Sequence, residues 1–261
     1  MFDYHMHSRV SFDGHDSGEA LALAAKAAGL KEICFTDHLD YDPLGKMGVL
    51  AFDTEDYARE YDALAIPGLL IRRGMEFGMT PENREQLHMD LRRRNFDFVL
   101  GSVHFVDDLD VYFEEYWAGK TIFQAERRYL EATLECVRVH DGFDVLAHLT
   151  YIAKTHCHPA PRPVVYADHR EQIDEILRTL AEKGKGLEIN TSGADRCGAF
   201  LPAADMVRRF KELGGEIVTV GSDAHRCARV GQYCHHACDI LMDIFGYVCT
   251  FENRQPIFHK L

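Results

Sequence analysis

Short apolar runs alternate with amphipathic stretches along the whole chain, and most of these runs end at a polar or glycine residue. The runs are rich in Val, Ile, Leu and Phe, which is typical of strands buried on both faces of a parallel sheet. We predict seven strands from them: Phe2–His5, Glu32–Thr36, Leu69–Glu76, Phe98–His104, Val145–His148, Gly186–Asn190 and Glu216–Gly221.

The amphipathic stretches between these runs carry helix start and stop signals. Ser17 and Thr54 are expected N-caps, Thr121 opens a long apolar stripe, and Gly184 follows a helical segment as a stop signal. The predicted helices are Ser17–Ala28, Glu55–Leu64, Pro81–Arg94, Thr121 to about His140, Asp168–Lys183, Pro202–Leu213 and Gln232–Phe245.

Seven successive β/α units predict an α/β fold, with a parallel sheet and the helices outside it. The 261 residues suit a single domain, and a closed TIM-like barrel is the preferred architecture. An open, doubly wound sheet is the alternative, and it would place the chemistry at one switch point. Here, chemically reactive residue types follow nearly every predicted strand, which favours closure.

Charge and composition exclude several kinds of partner. The net charge of −13 argues against a long nucleic-acid track, whereas a small substrate with a cationic group suits such a surface. No apolar run approaches the roughly 20 residues of a membrane span, and no leader pattern precedes the first strand. The eight cysteines show neither a disulfide framework nor a Cys-x-x-Cys motif, so we expect a cytoplasmic protein.

Histidine and carboxylate side chains gather at the ends of the predicted strands. In chain order, these positions are His5, His7, Asp37, His38, Glu76, His104, His148, Asp223 and His225. The C-terminal strand ends of a closed barrel converge on one mouth, so residues distant in sequence would meet there. Any one of the lone histidines also fits a buried core position, but the joint pattern predicts a polynuclear site for Zn, Fe or Mn.

The order His-x-His, Thr-Asp-His, Gly-x-Glu, Ser-x-His, a lone His and Ser-Asp-x-His resembles the polymerase and histidinol phosphatase (PHP) superfamily. The resemblance runs from Asp3 to His225, and it implies a distorted (β/α)7 barrel with two to three divalent ions (Zn, Fe or Mn). By motif position, it implies a first ion on His5, His7, Glu76 and Asp223. It also implies that Glu76 bridges to a second ion on His104 and His148, with a third ion on His15, His38 and His225.

Two further segments resemble the histidinol-phosphatase branch of that superfamily: Glu188–Gly193 and Phe251–Pro256. The resemblance implies a metal-dependent phosphomonoesterase that hydrolyses L-histidinol phosphate to L-histidinol and phosphate, in histidine biosynthesis. A metal-bridged hydroxide would attack phosphorus in line. A PHP phosphoesterase for nucleotides or short oligonucleotides is the alternative, and a regulatory metal-binding module of a polymerase is a third possibility.

Several residues are candidates for handling the phosphate and the proton. Asp37 is either the general acid for the leaving alcohol or a partner that orients a ligand histidine. Arg162 and Arg196 are candidate phosphate clamps, because guanidinium binds phosphate bidentately, and Lys154 is a third candidate. Each of these three basic residues fits an ordinary surface charge equally well.

The expected partner is a small-molecule phosphate ester, with no long nucleic acid and no membrane. Histidinol phosphate carries an amine and an imidazole, so Glu114 or Glu115 is a candidate for the amine, and Tyr116 or Trp117 for covering the ring. Simple packing of this loop on the barrel is the alternative. The sequence leaves monomer and homodimer open.

Overall fold

The chain forms twelve strands and nine α-helices in the computed structural model, which describes residues 1–261. The strands are β1 (Phe2–Asp3), β2 (Glu32–Phe35), β3 (His38–Leu39), β4 (Leu70–Gly78), β5 (Phe98–Ser102), β6 (Phe105–Val106), β7 (Leu109–Asp110), β8 (Val145–Leu146), β9 (Gly186–Asn190), β10 (Val218–Gly221), β11 (Tyr247–Glu252) and β12 (Gln255–Lys260). The helices are α1 (Gly18–Ala27), α2 (Thr54–Tyr61), α3 (Arg84–Arg93), α4 (Glu114–Trp117), α5 (Ile122–Val139), α6 (Arg170–Glu182), α7 (Ala194–Cys197), α8 (Ala204–Glu212) and α9 (Cys234–Ile244).

Seven parallel strands surround a common axis in the order β1-β2-β4-β5-β8-β9-β10, and the short strand β3 pairs with β4. The first and last strands also meet, because the Tyr4 amide donates to the Val220 carbonyl at 2.9 Å and Met6 forms a parallel bridge with Ala224. The predicted α/β architecture, a distorted barrel of seven β/α units in one domain, is therefore confirmed. The open, doubly wound sheet is excluded.

Several barrel strands are shorter than predicted. The strand β1 ends at Asp3 rather than His5, β5 ends at Ser102 rather than His104, and β8 ends at Leu146 rather than His148. The chain leaves the regular ladder before these histidines, and His148 has a φ of 23°. The side chains at the mouth are therefore carried by irregular backbone just beyond the strands, which can turn them towards the barrel axis.

The helix caps match the sequence signals at two of three positions. Ser17 caps α1 by accepting from the Ala20 amide, and Thr121 forms a capping box with Gln124 at the start of α5. The prediction that Thr54 caps the second helix is wrong, because the Asp53 side chain accepts from the amides of Glu55 and Asp56. The third helix begins at Arg84 rather than at Pro81.

Two antiparallel hairpins lie outside the predicted pattern. The strands β6 and β7 turn at Asp107 and Asp108, which have φ of 53° and 63°, and the short helix α4 follows them. The strands β11 and β12 turn at Asn253 and Arg254, with φ of 49° and 66°. Positive φ at both central residues is the conformation of a two-residue hairpin turn.

The hairpin β11–β12 closes the N-terminal end of the barrel. Phe251 packs on Phe98 with ring centroids 4.8 Å apart, in a buried cluster with Tyr4 and Val145. The Tyr4 hydroxyl accepts from the Phe251 amide at 3.0 Å. This plug completes the interior at the end opposite to the histidine-rich mouth. None of the helices combines the length and apolar character that crossing a membrane requires.

Phe251→Ala should lower the free energy of unfolding by about 3–5 kcal/mol, because it leaves a cavity under the barrel. Phe258→Ala on the same hairpin is the control: its ring is 51% exposed, against 2% for Phe251. The control should lose less than about 1 kcal/mol. Urea unfolding of both variants measures the difference, and equal losses would contradict the role of Phe251 as a plug.

Candidate metal centre

The mouth of the barrel brings together eight of the nine side chains predicted as metal ligands. They are His5, His7, His38, Glu76, His104, His148, Asp223 and His225. They come from the ends of β1, β3, β4, β5, β8 and β10, and all are buried except Asp223 and His225, which are partly buried. The convergence expected from a closed barrel is therefore observed.

Four of these side chains surround one point. The Glu76 Oε2 atom lies 3.2 Å from His5 Nε2 and 3.3 Å from His7 Nε2. The Asp223 Oδ1 atom lies 3.6 Å and 3.5 Å from the same two nitrogens. Ligands about 2.0–2.1 Å from a tetrahedral zinc ion are about 3.3–3.4 Å apart, so these separations fit such an ion.

The hydrogen bonding of these atoms also fits a metal ion. His5 Nε2, His7 Nε2 and Glu76 Oε2 are buried, and none of them has a hydrogen-bond partner within the protein. Buried polar atoms without partners are costly and rare in folded proteins. A divalent cation at this point would satisfy all three atoms at once.

The second oxygen of Glu76 faces a different pair of histidines. Glu76 Oε1 lies 2.8 Å from His148 Nε2 and 3.5 Å from His104 Nε2. The two oxygens of one carboxylate thus address two separate groups of imidazole nitrogens. This is the geometry that a carboxylate needs in order to bridge two metal ions.

A third group joins three imidazoles. The ring of His7 stacks between those of His38 and His225, with both centroid separations at 4.3 Å. The Asp13 carboxylate lies 3.0 Å from His225 Nε2. His15, the predicted third ligand, is exposed and belongs to none of the ligand groups; its Nε2 accepts from the Arg226 guanidinium at 3.1 Å. Asp13 and His15 both line the cavity, and the Asp13 carboxylate rather than the His15 ring contacts the His225 ring.

The charges at the mouth are strongly coupled. Burial acts to raise the pKa of Glu76, but His5, His38 and His104 outweigh it and hold that pKa well below its usual range. Burial acts to lower the pKa of His38, but Glu76, Asp40 and Asp13 raise it to about 9. Glu76 is therefore ionised at neutral pH, as a metal-binding carboxylate must be.

Asp40 and Glu188 contact the histidines of the ligand groups, and Asp40 also lines the cavity. Asp40 lies 2.9 Å from His38 Nδ1 and 2.8 Å from His104 Nδ1, so it joins two of the ligand groups. Glu188 contacts His5 Nδ1 at 2.7 Å and accepts from the His148 amide at 2.9 Å. Carboxylates that hold the far nitrogen of a ligand histidine fix its tautomer and orientation. A Cβ on Gly78 would lie 1.9 Å from Asp40 Oδ1, so only glycine leaves room for this carboxylate.

The sequence did not reveal the contacts of Asp40 and Glu188 with the histidines, or the contact of Asp13 with His225. A signal for Asp40 was present, since it lies two residues after His38 and therefore on the same side of extended backbone. Glu188 belongs to the segment that resembles the histidinol-phosphatase branch. Only the folded chain shows which histidine each of these carboxylates meets.

The Asp37 carboxylate bonds to Ser8, Ser11 and Tyr61, and it makes no direct hydrogen bond to a ligand histidine. Its carboxylate is buried away from the cavity at the mouth and accepts from the Ser8 amide at 2.8 Å and from Ser11 Oγ at 2.9 Å. Burial raises its pKa to about 6, against the hydrogen bonds from Tyr61 and Ser8. A group with no access to the cavity cannot protonate a leaving alcohol. The geometry therefore favours a role in which Asp37 holds the turn after His7.

A cavity of about 440 Å³ opens over the ligand groups, and six of the eight ligand-type side chains described above line it. Lys154 is the only lysine or arginine in its wall. Its Nζ donates to Ser192 Oγ at 2.7 Å and pairs with Asp223. The sequence prediction that Lys154 faces the site is consistent with this position.

The other predicted substrate residues lie outside the cavity wall. Arg162 contacts the buried Glu126 at 3.3 Å, and Arg196 donates to the His156 carbonyl at 2.8 Å. Glu115 is exposed, whereas Tyr116 is buried and donates to the Ala125 carbonyl at 2.6 Å. Tyr116 packs inward because the segment folds as a helix, α4, and not as an open loop over the cavity.

Comparison with known proteins extends these observations. Residues 3–192 match the family model of the PHP domain. The histidinol-phosphatase of Lactococcus lactis subsp. lactis is 33% identical over 258 residues, which span 97% of this chain and 95% of that protein. A probable histidinol-phosphatase of Clostridium acetobutylicum is 31% identical over 234 residues, spanning 88% of this chain and 89% of that protein.

A solved structure is similar over the same extent. The crystal structure of histidinol phosphate phosphatase from Lactococcus lactis subsp. lactis, complexed with zinc, L-histidinol and phosphate, matches with a TM-score of 0.87. It is 30% identical in sequence, and the match covers 98% of each chain. The similarity therefore reaches well beyond the region matched by the family model.

Asp40→Asn should weaken divalent metal binding by roughly 10–100-fold, because the amide cannot serve both histidines as an acceptor. Metal content after dialysis against graded chelator concentrations measures the effect. Asp42→Asn removes the same charge two residues away in the same loop and should leave the metal content unchanged. Undiminished metal retention in the Asp40 variant would rule out its orienting role.

Proposed function

We infer that this chain, which belongs to the PHP domain family and to its histidinol-phosphatase branch, hydrolyses L-histidinol phosphate to L-histidinol and inorganic phosphate. The enzyme is a phosphoric monoester hydrolase. The observation that carries this proposal is the convergence of unpartnered, buried histidine and carboxylate atoms beneath an open cavity. A phosphomonoester needs such a site, because its anionic phosphoryl group must be drawn into an acidic protein.

We propose two to three divalent ions at the mouth, of Zn, Fe or Mn. The first would be held by His5, His7, Glu76 and Asp223. The second would be held by Glu76, His104 and His148. The third would be held by His38 and His225, with His15 as the predicted further ligand and Asp13 as the alternative that contacts His225.

Bound divalent ions supply Lewis-acid chemistry, polarising phosphoryl oxygens and lowering the pKa of water. The protein's part is positioning. Glu76 presents one oxygen to each group of imidazoles, and its ionised state at neutral pH keeps both oxygens available. Asp223 and the histidines fix the floor of the cavity, and Asp40 and Glu188 hold those imidazoles in place.

The phosphate would lie beside Lys154, whose ammonium is the only fixed cationic side chain in the wall apart from the histidines. Arg162 and Arg196 stay predicted as further phosphate contacts, and Glu115 and Tyr116 stay predictions for the amine and the ring. The proposed unit is the whole chain, residues 1–261. Its eight cysteines are all free, which supports the expected cytoplasmic location, and a homodimer stays a prediction.

The metal-loaded enzyme should release phosphate from L-histidinol phosphate much faster than from a panel of nucleoside monophosphates. Glu76→Gln should lose bound metal and nearly all turnover, because the bridging charge is gone. Glu82→Gln, an exposed acid beyond the same strand, should retain both. Phosphate release and metal analysis are the two measurements. Turnover of the nucleotides at an equal or faster rate would show that L-histidinol phosphate is not the preferred substrate. A normal rate with normal metal content in Glu76→Gln would refute the bridging role of Glu76.

Lys154→Ala should raise the KM for the substrate and weaken inhibition by inorganic phosphate, each by roughly ten-fold, since a charged hydrogen-bond donor is lost. Lys260→Ala, at the exposed end of β12, is the matched control and should change neither. Arg196→Ala is measured in parallel. If phosphate inhibition weakens more in Arg196→Ala than in Lys154→Ala, Arg196 and not Lys154 is the main phosphate-binding residue.

A further inference from the structure

Five carboxylates line the cavity, and four of them are already engaged. These are Asp13, Asp40, Glu76, Asp110 and Asp223. Asp13, Asp40 and Glu76 each contact histidines, and Asp223 contacts both histidines and Lys154. Asp110 alone makes no ion pair with any side chain of the protein. It is therefore the one acidic group of the wall that is free to meet a ligand.

Asp110 lies at the end of β7, on the hairpin that forms one side of the cavity. Its Oδ1 accepts from the Tyr112 amide at 2.8 Å, which fixes the direction of the carboxylate and leaves Oδ2 available. Burial raises the pKa of Asp110, and no lysine or arginine pairs with it to offset that cost. A cationic group of a ligand would supply the missing charge.

The wall next to Asp110 is aromatic. Phe105, Tyr112 and Phe113 come from the same segment and line the cavity with Asp110. Tyr112 and Phe113 are 38% and 42% exposed, so part of each ring is open to a ligand, although the Tyr112 ring also stacks with His156. A carboxylate beside open aromatic faces is a site for an organic cation that also carries a flat ring.

The same cavity wall also carries a positive charge, that of Lys154. Lys154 and its partners Asp223 and Ser192 follow β8, β10 and β9, whereas Asp110 belongs to the hairpin after β5. The cavity thus contains a cationic side chain and, on the hairpin after the neighbouring strand, a carboxylate without an ion pair among aromatic rings. A substrate with a phosphate at one end and an amine with a flat ring at the other matches this pair of charges.

We propose that Asp110 determines substrate specificity by pairing with the ammonium group of an amino-alcohol phosphate, while Tyr112 and Phe113 cover its ring. This proposal rests on the proposed hydrolysis of L-histidinol phosphate and names the protein group that selects that ester. It places the amine contact on the hairpin β6–β7. Glu114 and Glu115 are exposed on α4 and do not line the cavity, so they offer no comparable contact.

The test compares two substrates that differ only in the amine: L-histidinol phosphate and its deamino analogue, imidazolylpropyl phosphate. Asp110→Asn should raise the KM for histidinol phosphate by roughly 10–100-fold and change the KM for the analogue less than about two-fold. Asp110→Glu keeps the charge and should restore most of the loss. Asp108→Asn, an exposed acid in the turn of the same hairpin, should behave like the wild type with both substrates.

The outcomes separate this proposal from the one on which it rests. If the wild type hydrolyses histidinol phosphate but Asp110→Asn leaves its KM unchanged, Asp110 does not select the amine. Equal losses on both substrates would show a structural effect and would also overturn the proposal. If the metal-loaded wild type releases no phosphate from histidinol phosphate, the proposed function itself fails. Metal content and circular dichroism equal to the wild type establish that each variant is folded and loaded.

Discussion

The whole mouth of this barrel depends on one electrostatic constraint: buried imidazole and carboxylate atoms face each other without hydrogen-bond partners. His5, His7 and Glu76 are fully buried, and desolvating such groups is costly unless their charge or lone pairs are met. The 3.2–3.6 Å spacing among these atoms and Asp223 suits a shared cation. Folding of the barrel therefore assembles a site that only metal binding completes.

The surrounding residues hold this arrangement in place. Asp40 and Glu188 each contact two of the ligand histidines or their backbone, so a displacement of one histidine is transmitted to another. Gly78 contributes to the same arrangement, because a Cβ at this position would occupy the place of the Asp40 carboxylate. At the other end, the plug at Phe251 completes the interior. The mouth is thus held by polar contacts among its own side chains, and the opposite end of the barrel is filled by apolar packing.

The barrel and most of the metal-binding residues were predictable because their signals are local. Apolar runs followed by histidine or carboxylate residues reveal both a strand and the end at which its chemistry lies. Partners across the fold leave no such signal, so the contact of Asp13 with His225 was not predicted, and the spacing of Asp40 from His38 did not reveal its contact with His104. The lining of the cavity was harder to predict: whether Tyr112 or Tyr116 faces the cavity depends on the hairpin and the short helix, which apolar periodicity does not reveal.

Charge order explains how an acidic protein can accept a phosphate ester. The net charge is −13, and the cavity wall holds five carboxylates against one lysine and several histidines, of which His38 has its pKa raised to about 9. Cations bound at the histidines would add positive charge at the floor, whereas Asp110, which belongs to none of the ligand groups, would keep its negative charge. Metal loading would therefore strengthen the difference in charge between the floor of the cavity and Asp110, which suits a substrate that carries both a phosphate and an amine.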